Sequence, residues 1–170
     1  ASQHPFVYRK MIRQVDPAAR PGDVVHVYDR HDAYFGQGLF NPRSQIVVRM
    51  LTAADTPVDD AFWHARLGQA VALRRLLRLD EQTDAYRLVH AEGDDLSGLI
   101  VERYADTLVF EFFALGMYQR REQFRAALTE LLGPLTALDR AVPADAPWQV
   151  VYRADSRIEQ MEGFRVGPGE

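Results

Sequence analysis

Three features of the sequence predict an α+β fold. Residues 22–51 carry three short β-branched runs separated by tight turns, a long amphipathic pattern starts at Asp59, and further strand-like runs follow as a group. Helices fall between groups of strands and do not alternate with them singly, which argues against a doubly wound parallel sheet. Gly36-x-Gly38 is followed by a strand, so it is not the glycine-rich strand-to-helix turn that cradles a nucleotide. At 170 residues and 47% hydrophobic, the chain can close one ordinary core or two small ones.

The first run, Gly22 to Arg30, alternates with Val25, Val27 and Asp29 on one face and reads as a strand. The polar break Arg30-His31-Asp32 predicts a hairpin turn into a second strand, Ala33 to Phe40. Gly36 and Gly38 inside that strand predict a bulge or a close backbone approach. Asn41-Pro42 is a turn signal, and Ile46 to Leu51 reads as a third strand. Three strands in so short a span predict a small barrel or meander. Thr52 to Val58 is the expected boundary, which gives domains over 1–54 and 55–170.

Asp59 is a predicted N-cap for a helix running to about Leu79. Its inward stripe reads as Phe62 or Trp63, Leu67, Ala70, Val71, Leu73 and Leu77. Two strands, over 85–91 and 98–104, flank Glu92-Gly93-Asp94-Asp95, and a third runs from Thr107 to Leu115. A second helix, Glu122 to Leu132, turns Phe124, Leu128, Leu131 and Leu132 inward and stops at Gly133-Pro134. Pro143 to Pro147 reads as a loop and Trp148 to Arg153 as a last strand.

Composition excludes several chemistries. With no cysteine there is no disulfide framework, thiolate metal site or cysteine nucleophile in this segment. No run approaches 18 apolar residues, so no helical membrane span is expected, and no charged-then-apolar leader is visible. His26, His31, His64 and His90 lack metal-ligand spacing, and neither Ser44 nor Ser97 sits in a nucleophile elbow. The acidic turn 92–95 lacks the alternating oxygen ligands of a calcium loop and reads as a capped or solvated hairpin turn. Neither a metal nor a catalytic group is expected here.

Charge is uneven. The formal total is -4, yet residues 1–52 hold seven cations and four acids, +3, against thirteen cations and twenty acids, -7, in the rest. Residues 61–79 carry Arg66, Arg74, Arg75 and Arg78 with no acid, whereas residues 80–111 carry nine acids beside Arg87 and Arg103. Arginine forks match phosphate and stack on bases, so this helix suits a polyanion. An arginine-rich proteome gives the same face, and Lys10 is the only lysine. Tyr34, Phe35 and Phe40 near Arg43 and Arg49 suit unpaired nucleotides unless the rings are core.

The motifs carry more than the periodicity. His4-Pro5-Phe6-Val7-Tyr8, then Gly22-Asp23-Val24-Val25, then Gly36-Gln37-Gly38 with Asn41-Pro42, Ser44, Ile46 and Arg49, resemble a PUA-type domain. Phe62-Trp63, Arg66-Leu67, Ala70, Arg74, Tyr86-Arg87-Leu88 and Glu92-Gly93-Asp94 with Gly98-Leu99 extend the resemblance. Glu102-Arg103-Tyr104, Arg153, Asp155, Arg157 and Glu162-Gly163 carry it almost to the end. The chain resembles PUA-domain class I methyltransferases of the large-subunit methyltransferase I type, which make 5-methylcytosine in 23S rRNA from S-adenosylmethionine.

The resemblance implies a PUA-like β-barrel whose first strand precedes Ala1, then a β-β-α-β-β-like central domain. The Rossmann methyltransferase domain is expected after Glu170, so both ends read as cuts in a longer protein. The S-adenosylmethionine site and the catalytic residues are expected in that missing part, and no catalytic residue is carried over. Ser97 replaces the family's proline and is expected to loosen the turn after Asp95; Glu102 replaces an aspartate. Expected RNA contacts are Arg43, Arg49, Arg66 and Arg74, with Glu92 and Asp94 organising the interdomain turn. Expected partners are rRNA, the C-terminal methyltransferase domain and a homodimer partner, in the cytoplasm, with neither membrane nor metal. A non-catalytic RNA adaptor or dimerisation module is the other reading, for which Leu108 to Leu115 would supply an exposed apolar strand.

Overall fold

The computed structural model describes residues 5–134 and 146–168. His4 and residues 143–145 of the expected Pro143–Pro147 loop lie outside them. Four strands, β1 (Phe6–Tyr8), β2 (Val24–Tyr28), β3 (Tyr34–Phe40) and β4 (Ile46–Thr52), form one antiparallel sheet in the order β1-β4-β3-β2. The β2–β3–β4 meander is as expected. β1 was not foreseen, because three residues are too few to show alternation. Among the described residues this sheet is open, with β1 and β2 as its edges, and no barrel closure is present.

Both glycines of β3 sit under crowding backbone. Gly36 has φ +145°, and a Cβ there would strike the Thr52 carbonyl oxygen; at Gly38 it would lie 2.6 Å from the Arg49 carbonyl. The ladder shifts register between Gln37 and Gly38, which is the bulge the sequence predicts.

Helix α1 (Asp60–Leu76) starts where expected: the Asp59 side chain accepts from the Phe62 amide at 3.0 Å. Its buried stripe differs from the prediction. Trp63, Leu67, Ala70, Val71 and Arg74 face inward, while Leu73 and Leu77 are exposed. Helical spacing from Trp63 leads to position 74 and not 73, so periodicity overrides side-chain type.

Strands β5 (Ala85–His90), β6 (Leu99–Tyr104), β7 (Thr107–Phe112) and β8 (Gln149–Arg153) form a second sheet in that order. All its pairs are antiparallel except β7–β8. Between β7 and β8 come α2 (Leu115–Gln119) and α3 (Arg121–Leu132), and α4 (Ser156–Glu162) follows β8. The second half is thus a helix, three strands, two helices, a strand and a helix, and not the expected β-β-α-β-β order.

The expected strand to Leu115 ends at Phe112, and α2 starts from Ala114 with Gly116 close against Leu39, where a Cβ would meet Leu39 Cδ2 at 2.7 Å. Strand β7 is interior, with Leu108, Phe110 and Phe112 fully buried. It is therefore not the exposed apolar strand expected for self-association. Trp63 packs edge-on against Phe124 at 5.4 Å, fixing α1 to α3 over the second sheet. Leu39 and Leu51 of the first sheet join that same core, so the expected boundary near residue 54 is crossed by apolar packing.

Candidate functional site

The turn between β5 and β6 gathers three of the four arginines singled out above. A 3₁₀ turn over Ala91–Asp94 and a left-handed Asp95 (φ 56°) point the carboxylates of this turn in different directions. Asp94 takes Arg74 in a fork, with Nη1 and Nη2 at 2.6 and 2.7 Å, and also accepts the His90 amide. Arg74 Nε donates to the Arg87 carbonyl at 3.0 Å. Both side chains of this pair are buried, at 9% and 5% exposure. Arg74 therefore has carboxylate and carbonyl partners where a phosphate contact was expected.

Asp95 takes Arg66 at 2.7 Å, but here the carboxylate is 65% exposed. Arg66 also lies over the Phe62 ring, 5.4 Å from its centroid. A pair so placed contributes little to stability and leaves its guanidinium within reach of a competing anion.

Glu92 faces the first sheet. Its carboxylate accepts the Ser97 hydroxyl at 2.7 Å and lies 4.0 Å from Arg49. Ser97 therefore braces this turn, contrary to the loosening expected from the replaced proline. Glu102, the other departure, holds Arg87 at 2.9 Å and Arg153 at 3.4 Å across the second sheet.

Arg49 is 9% exposed, and its Nη2 donates to the Phe113 carbonyl at 3.1 Å and lies 3.9 Å from Glu162. Its Nε is buried without a hydrogen-bond partner among the described residues. Burial pulls this guanidinium below its ordinary pKa, while Glu162 and Glu92 push it back up. Glu162, 2% exposed, also accepts Asn41 Nδ2 at 2.8 Å and the Leu115 amide at 3.3 Å. Asn41 and Glu162 stand 121 positions apart: Asn41 reads from sequence as part of a turn and Glu162 only as a motif residue, and nothing in the chain pairs them.

Arg43 is exposed and lies across Gly163, where a Cβ would meet its Nε at 2.9 Å. Of the four expected RNA-contacting arginines, Arg43 and Arg66 face solvent at least in part, and Arg49 and Arg74 do not. Glu92 stands beside Arg49 of β4, and Asp94 pairs with Arg74 of α1.

Such an arrangement defines a class: a small basic sheet clamped through arginine–carboxylate pairs to a larger α/β unit. Residues 1–53 match the PUA-like domain family. Over longer stretches the chain is homologous to the N-terminal part of ribosomal RNA large subunit methyltransferases. It is 38% identical over 120 residues to such a protein of Deinococcus radiodurans, a match covering 68% of this chain and 29% of that one. With ribosomal RNA large subunit methyltransferase I of Salmonella arizonae it shares 31% identity over 98% of this chain and 38% of the relative. The chain thus spans about a third of the length of the curated relatives it matches. Among solved structures, a Streptococcus mutans chain assigned as a SAM-dependent methyltransferase superposes with a TM-score of 0.63 at 18% identity. That match covers 75% of this chain and 33% of the other, and at this identity it speaks to the fold alone.

Proposed function

We propose that this chain is the RNA-recognition and substrate-positioning portion of an S-adenosylmethionine-dependent methyltransferase that forms 5-methylcytosine in 23S rRNA. The observation that carries the reading is the homology, over nearly the whole chain, to the N-terminal part of rRNA large subunit methyltransferases. In this reading Arg43 and Arg66 meet the RNA backbone. Arg49 and Arg74 act indirectly, holding the acidic turn and α1 so that Arg66 is presented. In this reading the protein meets its rRNA substrate in the cytoplasm; among the described residues no helix is long and apolar enough to cross a membrane.

The described residues do not fit the cofactor. Among them, the cavity lined by Val71, Arg74 and Trp148 is about 40 Å³ and that beside Asn41 and Glu162 about 10 Å³, far below the roughly 300 Å³ at which small-molecule sites begin. Gly36 and Gly38 are filled by neighbouring strand atoms and open no helix N-terminus. S-adenosylmethionine and the methylating residues belong, in this reading, to a domain beyond these residues.

The test is methyl transfer by the full-length protein from labelled S-adenosylmethionine to a 23S rRNA transcript, with the product base identified. Label on cytosine C5 is expected, label on another base overturns the target assignment, and no label overturns the reading. In the same protein, Arg43→Ala/Arg66→Ala should weaken RNA binding about 5- to 30-fold and reduce the salt slope by roughly two.

A further inference from the structure

His26 and Tyr28 stand two residues apart on β2, so both project from the same face of the first sheet. This face continues from Val24, which pairs with Leu39 at the inter-sheet core. Toward the hairpin end burial stops: His26 is exposed and Tyr28 is 56% exposed. Tyr34, opposite on β3, lies edge-on to both rings, with centroids 5.8 Å from His26 and 5.9 Å from Tyr28. The three rings form one cluster at the solvent rim of the sheet.

The cluster is rigidly mounted. Tyr34 donates its hydroxyl to the Ala54 carbonyl at 3.1 Å, and Gln37, paired with His26, donates to the Thr56 carbonyl at 2.7 Å. Below the rings, Asp29 accepts the His31 and Ala33 amides at 2.7 and 3.0 Å and so fixes the hairpin turn. Edge-on packing props the rings apart instead of stacking them on one another, which leaves room for a flat group against Tyr28 or His26.

We propose that His26, Tyr28 and Tyr34 form a stacking platform for an unpaired base of an RNA strand. The proposal rests on the RNA-binding reading above. The exposed groups here are rings with polar tips and not aliphatic anchors, and residues 1–52 carry seven cations against four acids, so a base with its phosphate matches both shape and charge. The adjoining main-chain carbonyls of Ala54 and Thr56 accept from Tyr34 and Gln37, so stacking would supply most of the recognition.

The experiment uses the full-length protein and a fluorescent 12-nucleotide RNA, single-stranded or annealed to its complement, with Kd read by anisotropy across a salt series. His26→Ala/Tyr28→Ala should weaken single-strand binding about 10- to 100-fold, Tyr28→Phe should retain it, and the salt slope should not move. Thermal melting should fall only slightly in the double variant, which loses the two edge-on contacts to Tyr34, and should not move in Tyr28→Phe. An unchanged Kd in the double variant, or an equal loss on the duplex, overturns the platform while the RNA reading stands. Failure of the unaltered protein to bind either RNA overturns both. A double variant that binds RNA normally but sediments differently assigns the cluster to a protein contact and also overturns the proposal.

Discussion

The two sheets of this molecule differ in self-sufficiency. The second sheet, with α1 and α3, owns a core in which Trp63, Leu67, Leu88, Phe110, Phe112, Phe124 and Leu128 are almost completely hidden. The first sheet has a separate buried cluster of only Val7, Phe40, Val47 and Val48, and it sends Leu39 and Leu51 into its neighbour's core. A small sheet with two glycines in its central strand cannot bury enough apolar surface alone. Its stability is borrowed across the junction, where polar groups such as Arg49, Asn41 and Glu162 set the geometry. The part that offers cations and aromatic rings to solvent is thus the part that depends on the other for its fold.

The largest expected effect lies within the second half. Arg74→Ala leaves Asp94 charged and buried and should cost about 3–5 kcal/mol in urea unfolding. Arg74→Met/Asp94→Leu should recover most of that loss, since an apolar pair of similar volume removes the uncompensated charge. Next comes Leu39→Ala, expected to cost about 2–5 kcal/mol. If the first sheet truly borrows its core, this change should loosen both sheets together in amide exchange; protection lost from the first sheet alone would break the comparison.

Glu162→Gln should cost about 1–3 kcal/mol by weakening its hydrogen bonds and leaving Arg49 less compensated. Exchange should rise in β3 and β4 while β6 and β7 stay protected, which locates the junction. The smallest effect is a pH dependence in the second sheet. The hydrogen bond from Arg87, opposed by burial and reinforced by Tyr104 and Arg153, holds the Glu102 carboxyl below its ordinary range. A lowered folded value means that stabilisation is present above the ordinary carboxylate range and lost as pH falls through the lowered one. Glu102→Gln should therefore flatten the acid limb of stability by less than about 1 kcal/mol and leave neutral pH nearly unchanged.

Much of the fold was legible locally. The Asp59 cap, the glycine bulge in β3, the Gly133 stop and every strand but β1 follow from turn chemistry and period alone. The errors had local causes too. Leu73 and Leu77 were placed inward because they are leucines, although the helical phase set by Trp63 puts Arg74 there. The site was less legible. Arg66, Arg74, Glu92 and Asp94 stand out in sequence, but as two unrelated groups, while Asn41 reads only as a turn residue and Glu162 only as part of a motif. His26 and Tyr28 read as ordinary strand residues, since alternation does not say which end of a sheet is left uncovered.

From sequence by itself came the longer strands, the two long helices, the charge asymmetry and the resemblance, because each is written in neighbouring residues or in ordered motifs. Tertiary structure alone decided which arginines are free. Arg49, Arg66 and Arg74 meet their carboxylates across 43, 29 and 20 positions, and Arg49 meets Glu162 across 113. Such pairings leave no periodic trace in the chain. A guanidinium's availability to RNA depends on which carboxylate folding brings beside it and on how much water remains there.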